Sequence, residues 1–165
     1  MKEEVLDSVD VALLDALQTN AAQSNQALAA ALGLSPPTCL RRVKRLRDAG
    51  LIAREVALLD TDKLAALQGH GLTAIVEVSL DRQGAEALQA LEARVVKDPA
   101  VQQCYRVSPG PDFVLVVAVL DMPGYQALAQ RLFTSDANVR NVKAFFSIQR
   151  AKFEPKVPLV VVSSQ

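Results

Sequence analysis

The sequence predicts an α+β chain in which a winged helix-turn-helix precedes a ferredoxin-like βαββαβ domain. Three observations carry this. Helical periodicity fills the first 50 residues and is interrupted by a three-residue turn that contains a glycine. From residue 72 the rhythm becomes strand, helix, strand, strand, helix, strand, the split βαβ order. Half of the 165 residues are apolar, yet only 4% are aromatic and Trp is absent, so a core is available and must be built from Leu, Val and Ala. The implied division is a winged helix-turn-helix over 1–60, a linker over 61–71, the ferredoxin-like domain over 72–155 and a tail over 156–165.

LDSVDVALLDALQTN (6–20) opens on Asp7 as N-cap with Asp10 three positions on, and Val9, Leu13, Leu14 and Leu17 recur at helical spacing. SNQALAAALGLS (24–35) is a shorter helix: Ser24 caps it, Leu28 and Leu32 mark its buried side, and Gly33 stops it. Ser35 then caps a third helix with Pro36 in its first position, leaving Gly33, Leu34 and Ser35 as the turn of a helix-turn-helix. On that third helix Cys39, Leu40, Val43 and Leu46 form the side that packs on its predecessors. Thr38, Arg41 and Arg45 fall opposite, Arg42 and Lys44 lie on the flanks, and Arg47 runs along the core edge with its head outward. LIAREVALLD, after Gly50, reads as a strand pair or short wing.

In the second half, LTAIVEVSL (72–80), VQQCYRVS (101–108), DFVLVVAVLD (112–121) and VRNVKAFFSIQRAKF (139–153) are the strands. GAEALQALEARVVKD (84–98) and PGYQALAQRLFTS (123–135) are the helices. Phe113, Leu115, Val117 and Val119 alternate with Val114, Val116 and Ala118, so this strand is apolar on both sides. Helices cover one face of such a sheet, and the other calls for a partner subunit, which predicts a homodimer.

Charge is segregated although the formal net charge is zero. Residues 1–60 carry seven basic groups, six of them within the fourteen positions from Arg41 to Arg54. Within the third helix a single acid, Asp48, answers them. A cationic face of this kind, on the second helix of a helix-turn-helix, fits double-stranded DNA. Ser35, Thr38, Arg41, Arg42 and Arg45 are expected to enter the major groove or its rim, and Lys44, Arg47 and Arg54 to neutralise phosphates. A partner-binding module on the same scaffold would not need residues 38, 41, 42 and 45 to be basic, and apart from Thr38 they are.

Other classes find little support. The longest apolar run, Phe113 to Leu120, falls far short of the roughly 20 residues of a helical membrane span. MKEEVLDSVD lacks the basic and then apolar pattern of a secretory signal, so a cytoplasmic protein is expected. Cys39 and Cys104 sit in no partner motif and read as reduced core residues. The single His, His70, lies between Gly69 and Gly71 without an orienting partner. With no Gly-rich phosphate loop, metal-ligand cluster or nucleophile beside a base, no catalytic residue, metal or cofactor is expected.

These segments resemble the Lrp/AsnC, or feast/famine, family of bacterial and archaeal transcription regulators. LDSVDVALLDAL is similar to that family's opening L-D-x-x-D-x-x-I-L-x-x-L, and LAAALGLSPPTCLRRVKRLRDAGLI to its L-x-x-x-x-G-L-S-x-x-x-x-x-x-R-V-x-R-L-x-x-x-G-x-I. VQQCYRVSPGPDFVLVVAVLDMPGY resembles V-x-x-C-x-x-V-x-G-x-x-D-Y-x-L with a following D-x-x-x-Y/F, and KFEPKVPL the closing K-x-x-x-x-x-P-L. The resemblance implies a ligand-sensing domain that dimerises, often assembles into octamers, and binds an amino acid or related metabolite between dimers. It also implies effector positions at Ser108, Pro109, Gly110, Asp112, Val142 and Ala144.

The chain departs from the family there. The family's Gly-Asp-aromatic-Asp loop aligns with Pro109, Gly110, Pro111 and Asp112, of which only Asp112, followed by Phe113, keeps the pattern. Its Thr-x-Thr/Ser aligns with Val142 and Ala144. Two prolines remove two backbone donors, which implies a more apolar effector or none, the alternative being a rigid turn between strands. Some proteins of similar outline decarboxylate sirohaem, but the lone His70 falls in the expected linker and argues against an enzyme here.

Overall fold

The computed structural model describes residues 6–69 and 71–161. The chain divides into two compact units. One comprises the N-terminal chain up to Leu58 together with the segment from Lys152, and the other runs from Leu59 to Ala151.

The first unit holds α1 (Ser8–Thr19), α2 (Asn25–Ala31) and α3 (Pro36–Asp48). Asp7 and Asp10 form a full capping box: Asp10 N–H donates to the Asp7 carboxylate at 2.8 Å and Asp7 N–H to Asp10 at 3.3 Å. Ser24 caps α2, and Gly33 takes φ +65° in the turn, a conformation that disfavours any side chain. Ser35 caps α3 with Pro36 and Pro37 in its first turn. Leu13, Leu14, Leu28, Ala29, Cys39, Val43 and Leu46 are buried together. The C-terminal segment completes this core: Leu159 packs on it, and Val157 and the Gln18 side chain exchange two hydrogen bonds of 2.8 and 3.1 Å. Lys156 adds an ion pair to Asp15 at 2.9 Å.

The second unit begins with α4 (Thr61–Gln68), capped by Asp60 and ended by Gly69 at φ +73°. There follow β1 (Leu72–Leu80), α5 (Ala85–Val95), β2 (Val101–Arg106), β3 (Phe113–Val119), α6 (Met122–Ala129), a π-helical turn (Gln130–Thr134) and β4 (Val139–Phe146). The four strands form an antiparallel sheet in the order β2-β3-β1-β4, the ferredoxin-like arrangement. Val76 stands opposite both Leu115 and Ala144, so residues of this parity line one face. That face is sealed by Leu91 and Val95 of α5 and by Leu128, Leu132 and Phe133 of α6 and its π turn.

Several features differ from the sequence reading, among them the last strand, expected over 139–153, which ends at Phe146. No strand pair forms after Gly50: residues 53–60 run without regular structure, because none of the described residues pairs with them as a second strand, and Val56, Leu58 and Leu59 stay exposed. Residues 61–68 of the expected linker are helical, since Asp60 and Gly69 supply both caps; His70 lies outside the described residues. The helical unit claims the chain from Lys152 onward, so neither the boundary at 155 nor a free tail over 156–165 describes it among the described residues. Leu40 is 57% exposed rather than buried, because the neighbouring helices reach only the narrower stripe of Cys39, Val43 and Leu46.

Leu46 is fully buried, so Leu46→Ala should lower the unfolding free energy by about 2–5 kcal/mol. Leu40→Ala should stay within about 0.5 kcal/mol of the parent. Urea unfolding of the three proteins measures both, and equal losses would show the faces of α3 to be wrongly assigned.

Candidate nucleic-acid interface

The basic groups of α3 divide into two sets. Asp10 on α1 is fully buried, and both of its carboxylate oxygens are engaged by α3. Arg42 donates to it at 2.8 Å and to Asp7 at 2.7 Å through the same nitrogen, while Arg45 pairs with its other oxygen. Arg42 and Arg45, one turn apart, thus lie along the flank of α3 that meets α1. The sequence reading missed Asp7 and Asp10 as their partners. The signal was present, since Asp7 caps α1 and Asp10 falls in its first turn, but only tertiary packing brings α1 within reach. Arg47 pairs with Glu55 from the extended segment that follows.

The second set is free. Among the described residues Arg41, Lys44 and Arg54 are exposed and make no ion pair or hydrogen bond. At the N-terminal end of α3, Ser35 and Thr38 bind each other, the Ser35 hydroxyl donating to Thr38 Oγ1 at 2.8 Å and accepting from Thr38 N–H. Arg41 and Lys44 stand on the side away from the buried stripe.

In the sheet unit the expected effector residues take up two kinds of position. Ser108, Pro109 and Gly110 are exposed in the β2–β3 loop, where the Ser108–Pro109 bond is cis. The Asp112 carboxylate instead accepts from Leu80 N–H at 2.7 Å and from Gln83 at 3.4 Å, which fastens the loop to the end of β1. Val142 and Ala144 pair with Val78 and Val76 and pack against the helix-covered core. Two open cavities, of about 550 and 320 Å³, are lined by other residues: Arg94, Lys97 and Arg131 beside α5 in the first, Leu64, Leu120 and Ile148 beside α4 in the second. Burial pushes the thiols of Cys39 and Cys104 up, the latter aided by Glu92, so neither is a poised thiolate. Among the described residues no group of three or more His, Cys, Asp or Glu could hold a metal, and no helix is long and apolar enough to cross a membrane.

A capped helix-turn-helix with a cationic outer face, joined to an antiparallel sheet domain, defines a DNA-binding transcriptional regulator with a ligand-binding domain rather than an enzyme. Residues 6–47 match the AsnC-type helix-turn-helix domain and residues 73–157 the Lrp/AsnC ligand binding domain. The chain belongs to the Lrp/AsnC family. It is 33% identical over 155 residues to the DNA-binding transcriptional activator DecR of Escherichia coli, covering 94% of this chain and 99% of that one. A leucine-responsive regulatory protein of Rhizobium meliloti is 33% identical over 147 residues, covering 89% and 92%. An AsnC family regulator from Agrobacterium tumefaciens superposes with a TM-score of 0.82 at 29% identity, covering 93% and 97%. A regulator from Neisseria meningitidis, solved as its complex with L-methionine, does so with a TM-score of 0.82 at 30% identity over the same shares.

The Arg42 guanidinium, and after it the Asp10 N–H, hold the Asp7 carboxyl below its ordinary 3.8. A lowered folded-state pKa adds stability that is present above the unfolded value and is lost as pH falls through the folded one. Asp7→Asn keeps an N-cap acceptor but not the charge. Its melting temperature should therefore lie below the parent's near neutral pH, and the gap should close in acid below about pH 4. A gap independent of pH would show that the Asp7 charge contributes nothing.

Proposed function

We propose that this regulator binds pseudo-palindromic double-stranded DNA as a homodimer or an assembly of dimers, up to an octamer, in the cytoplasm. The observation that carries the reading is the pair Arg41 and Lys44, exposed and unpaired on the outer side of α3 behind the Gly33 turn. In this reading Arg41, with Ser35 and Thr38, meets base edges, and Lys44 and Arg54 meet phosphates. Arg42, Arg45 and Arg47, though basic, hold the helix in place. Two copies of α3 would read half-sites about one helical turn apart, or a multiple of it.

Dimerisation through the open face of the sheet is supported by what that face carries. Ile75, Tyr105 and Phe145 are exposed there, beside the half-buried Val114 and Val116. Because the Asp112 carboxylate is already engaged, the effector we propose is a small, largely apolar amino acid or relative, in keeping with the methionine complex of the Neisseria regulator. It would meet the exposed rim Ser108 to Gly110 where dimers adjoin, with Asp112, Val142 and Ala144 shaping the site from behind. Ligand binding would change how dimers pack, with a coupling of about 1–3 kcal/mol.

Affinity selection of genomic fragments, beginning with the DNA upstream of the protein's own gene, identifies the operator. On it, Arg41→Ala should cost about 1–3 kcal/mol and relax preference at one position of each half-site, whereas Lys44→Ala should weaken all sequences alike. Uniform weakening by Arg41→Ala would make Arg41 a phosphate contact. No binding to any duplex in low salt would overturn the reading. Ile75→Lys should convert a dimer or larger assembly to monomer in sedimentation velocity, and an unchanged assembly would place the interface elsewhere.

A further inference from the structure

The Asp10 cluster presents a puzzle of its own. A buried ion pair contributes little net stability, because desolvating the charges offsets most of their attraction, and apolar replacements often do as well. Yet one fully buried carboxylate on α1 draws in two guanidinium groups from the helix that faces DNA, and a second, Asp7, reinforces one of them. The consequence lies in the charge that α3 offers to solvent. Of the six basic groups between Arg41 and Arg54, Asp10, Asp7 and Glu55 match three within the unit, leaving Arg41, Lys44 and Arg54.

Binding to DNA of arbitrary sequence is almost wholly electrostatic, falling with salt by about 0.9 in log–log slope per phosphate neutralised, whereas preference for one site depends on base edges and DNA shape. Charge matched by acids of the same unit therefore weakens indiscriminate binding without removing a base contact. We propose that Asp10 is a specificity-determining residue: by holding Arg42 and Arg45 against α1 it restrains the recognition helix from gripping DNA of any sequence. The inference rests on the reading that the outer side of α3 meets DNA. Asp10 acts through its arginines and is a positioning residue.

The test uses the full chain, a random-sequence duplex and the selected operator, with affinities measured across a range of potassium chloride concentrations and folding checked by thermal melts. Lys44→Gln should reduce the salt slope on random DNA by about one. Arg45→Gln, whose charge is already matched, should leave that slope unchanged. Asp10→Asn should steepen it by about one to two, raise random-sequence affinity several-fold at low salt and narrow the ratio between operator and random DNA. A purely structural Asp10 would move the melting temperature and leave the slope alone, which overturns the inference. So does an Arg45→Gln slope reduced as much as that of Lys44→Gln. If Asp10→Asn does not fold, the Arg45–Lys44 comparison decides. If Lys44→Gln and Arg41→Gln both leave the slope at the parent value, α3 does not face DNA, and the inference falls with the reading beneath it.

Discussion

A carboxylate without solvent fixes the geometry of the DNA-binding unit. Asp10 is fully buried between α1 and α3, and removing its charge partners would leave a buried ion uncompensated. It therefore constrains α3 in rotation and not merely in position: only one rotation of the helix brings Arg42 and Arg45 to α1 while Cys39, Val43 and Leu46 enter the core. The same residue closes the capping box that starts α1, so helix initiation and the seating of the recognition helix depend on a single side chain. Which of the basic residues face outward follows from that rotation.

Local chemistry was legible in the sequence wherever neighbours in the chain decide it. The caps Asp7, Ser24 and Ser35, the turn glycine Gly33 and the bounds of β1 all follow from residues within a few positions. The alternating strand pattern was equally readable, since its period fixes which residues share a face. What escaped the sequence depends on partners far along the chain. Leu40 has the right residue type for the core but sits at the edge of a stripe whose width α1 and α2 set. The acid that pairs with Arg42 and Arg45, Asp10, lies more than thirty positions earlier in the chain, where local pattern does not reveal it. The apolar run after Gly50 has strand composition but, among the described residues, no strand to pair with, and pairing, not composition, makes a strand.

Order along the chain also misleads about the units. The sheet unit is inserted within the helical one, because the segment from Lys152 returns to α1 and places Leu159 on the helical core. Gln18 satisfies both backbone groups of Val157, and Lys156 reaches Asp15 and Thr19. The K-x-x-x-x-x-P-L close is thus part of the helix-turn-helix unit, although the matched ligand-binding domain extends to residue 157. The chain crosses between the units twice, after Leu58 and after Ala151.

The motif residues of both units share a further property. Asp7, Asp10, Arg42 and Arg45 are the charged positions of the family patterns in the first half, and all four are consumed by contacts with one another. Asp112, the position that keeps the pattern in the β2–β3 loop, is consumed in fastening that loop to β1. The basic groups of α3 that make no ion pair among the described residues, Arg41 and Lys44, and the exposed Ser108–Gly110 rim occupy positions that the patterns leave variable or that this chain has altered. Such a division follows from the physics. Residues that hold the scaffold must satisfy one another in every protein that shares the fold, while residues that meet a particular operator or effector answer to a partner that changes from one regulator to the next. Family likeness in this chain therefore identifies the frame, and its individual chemistry lies in the residues the frame leaves free.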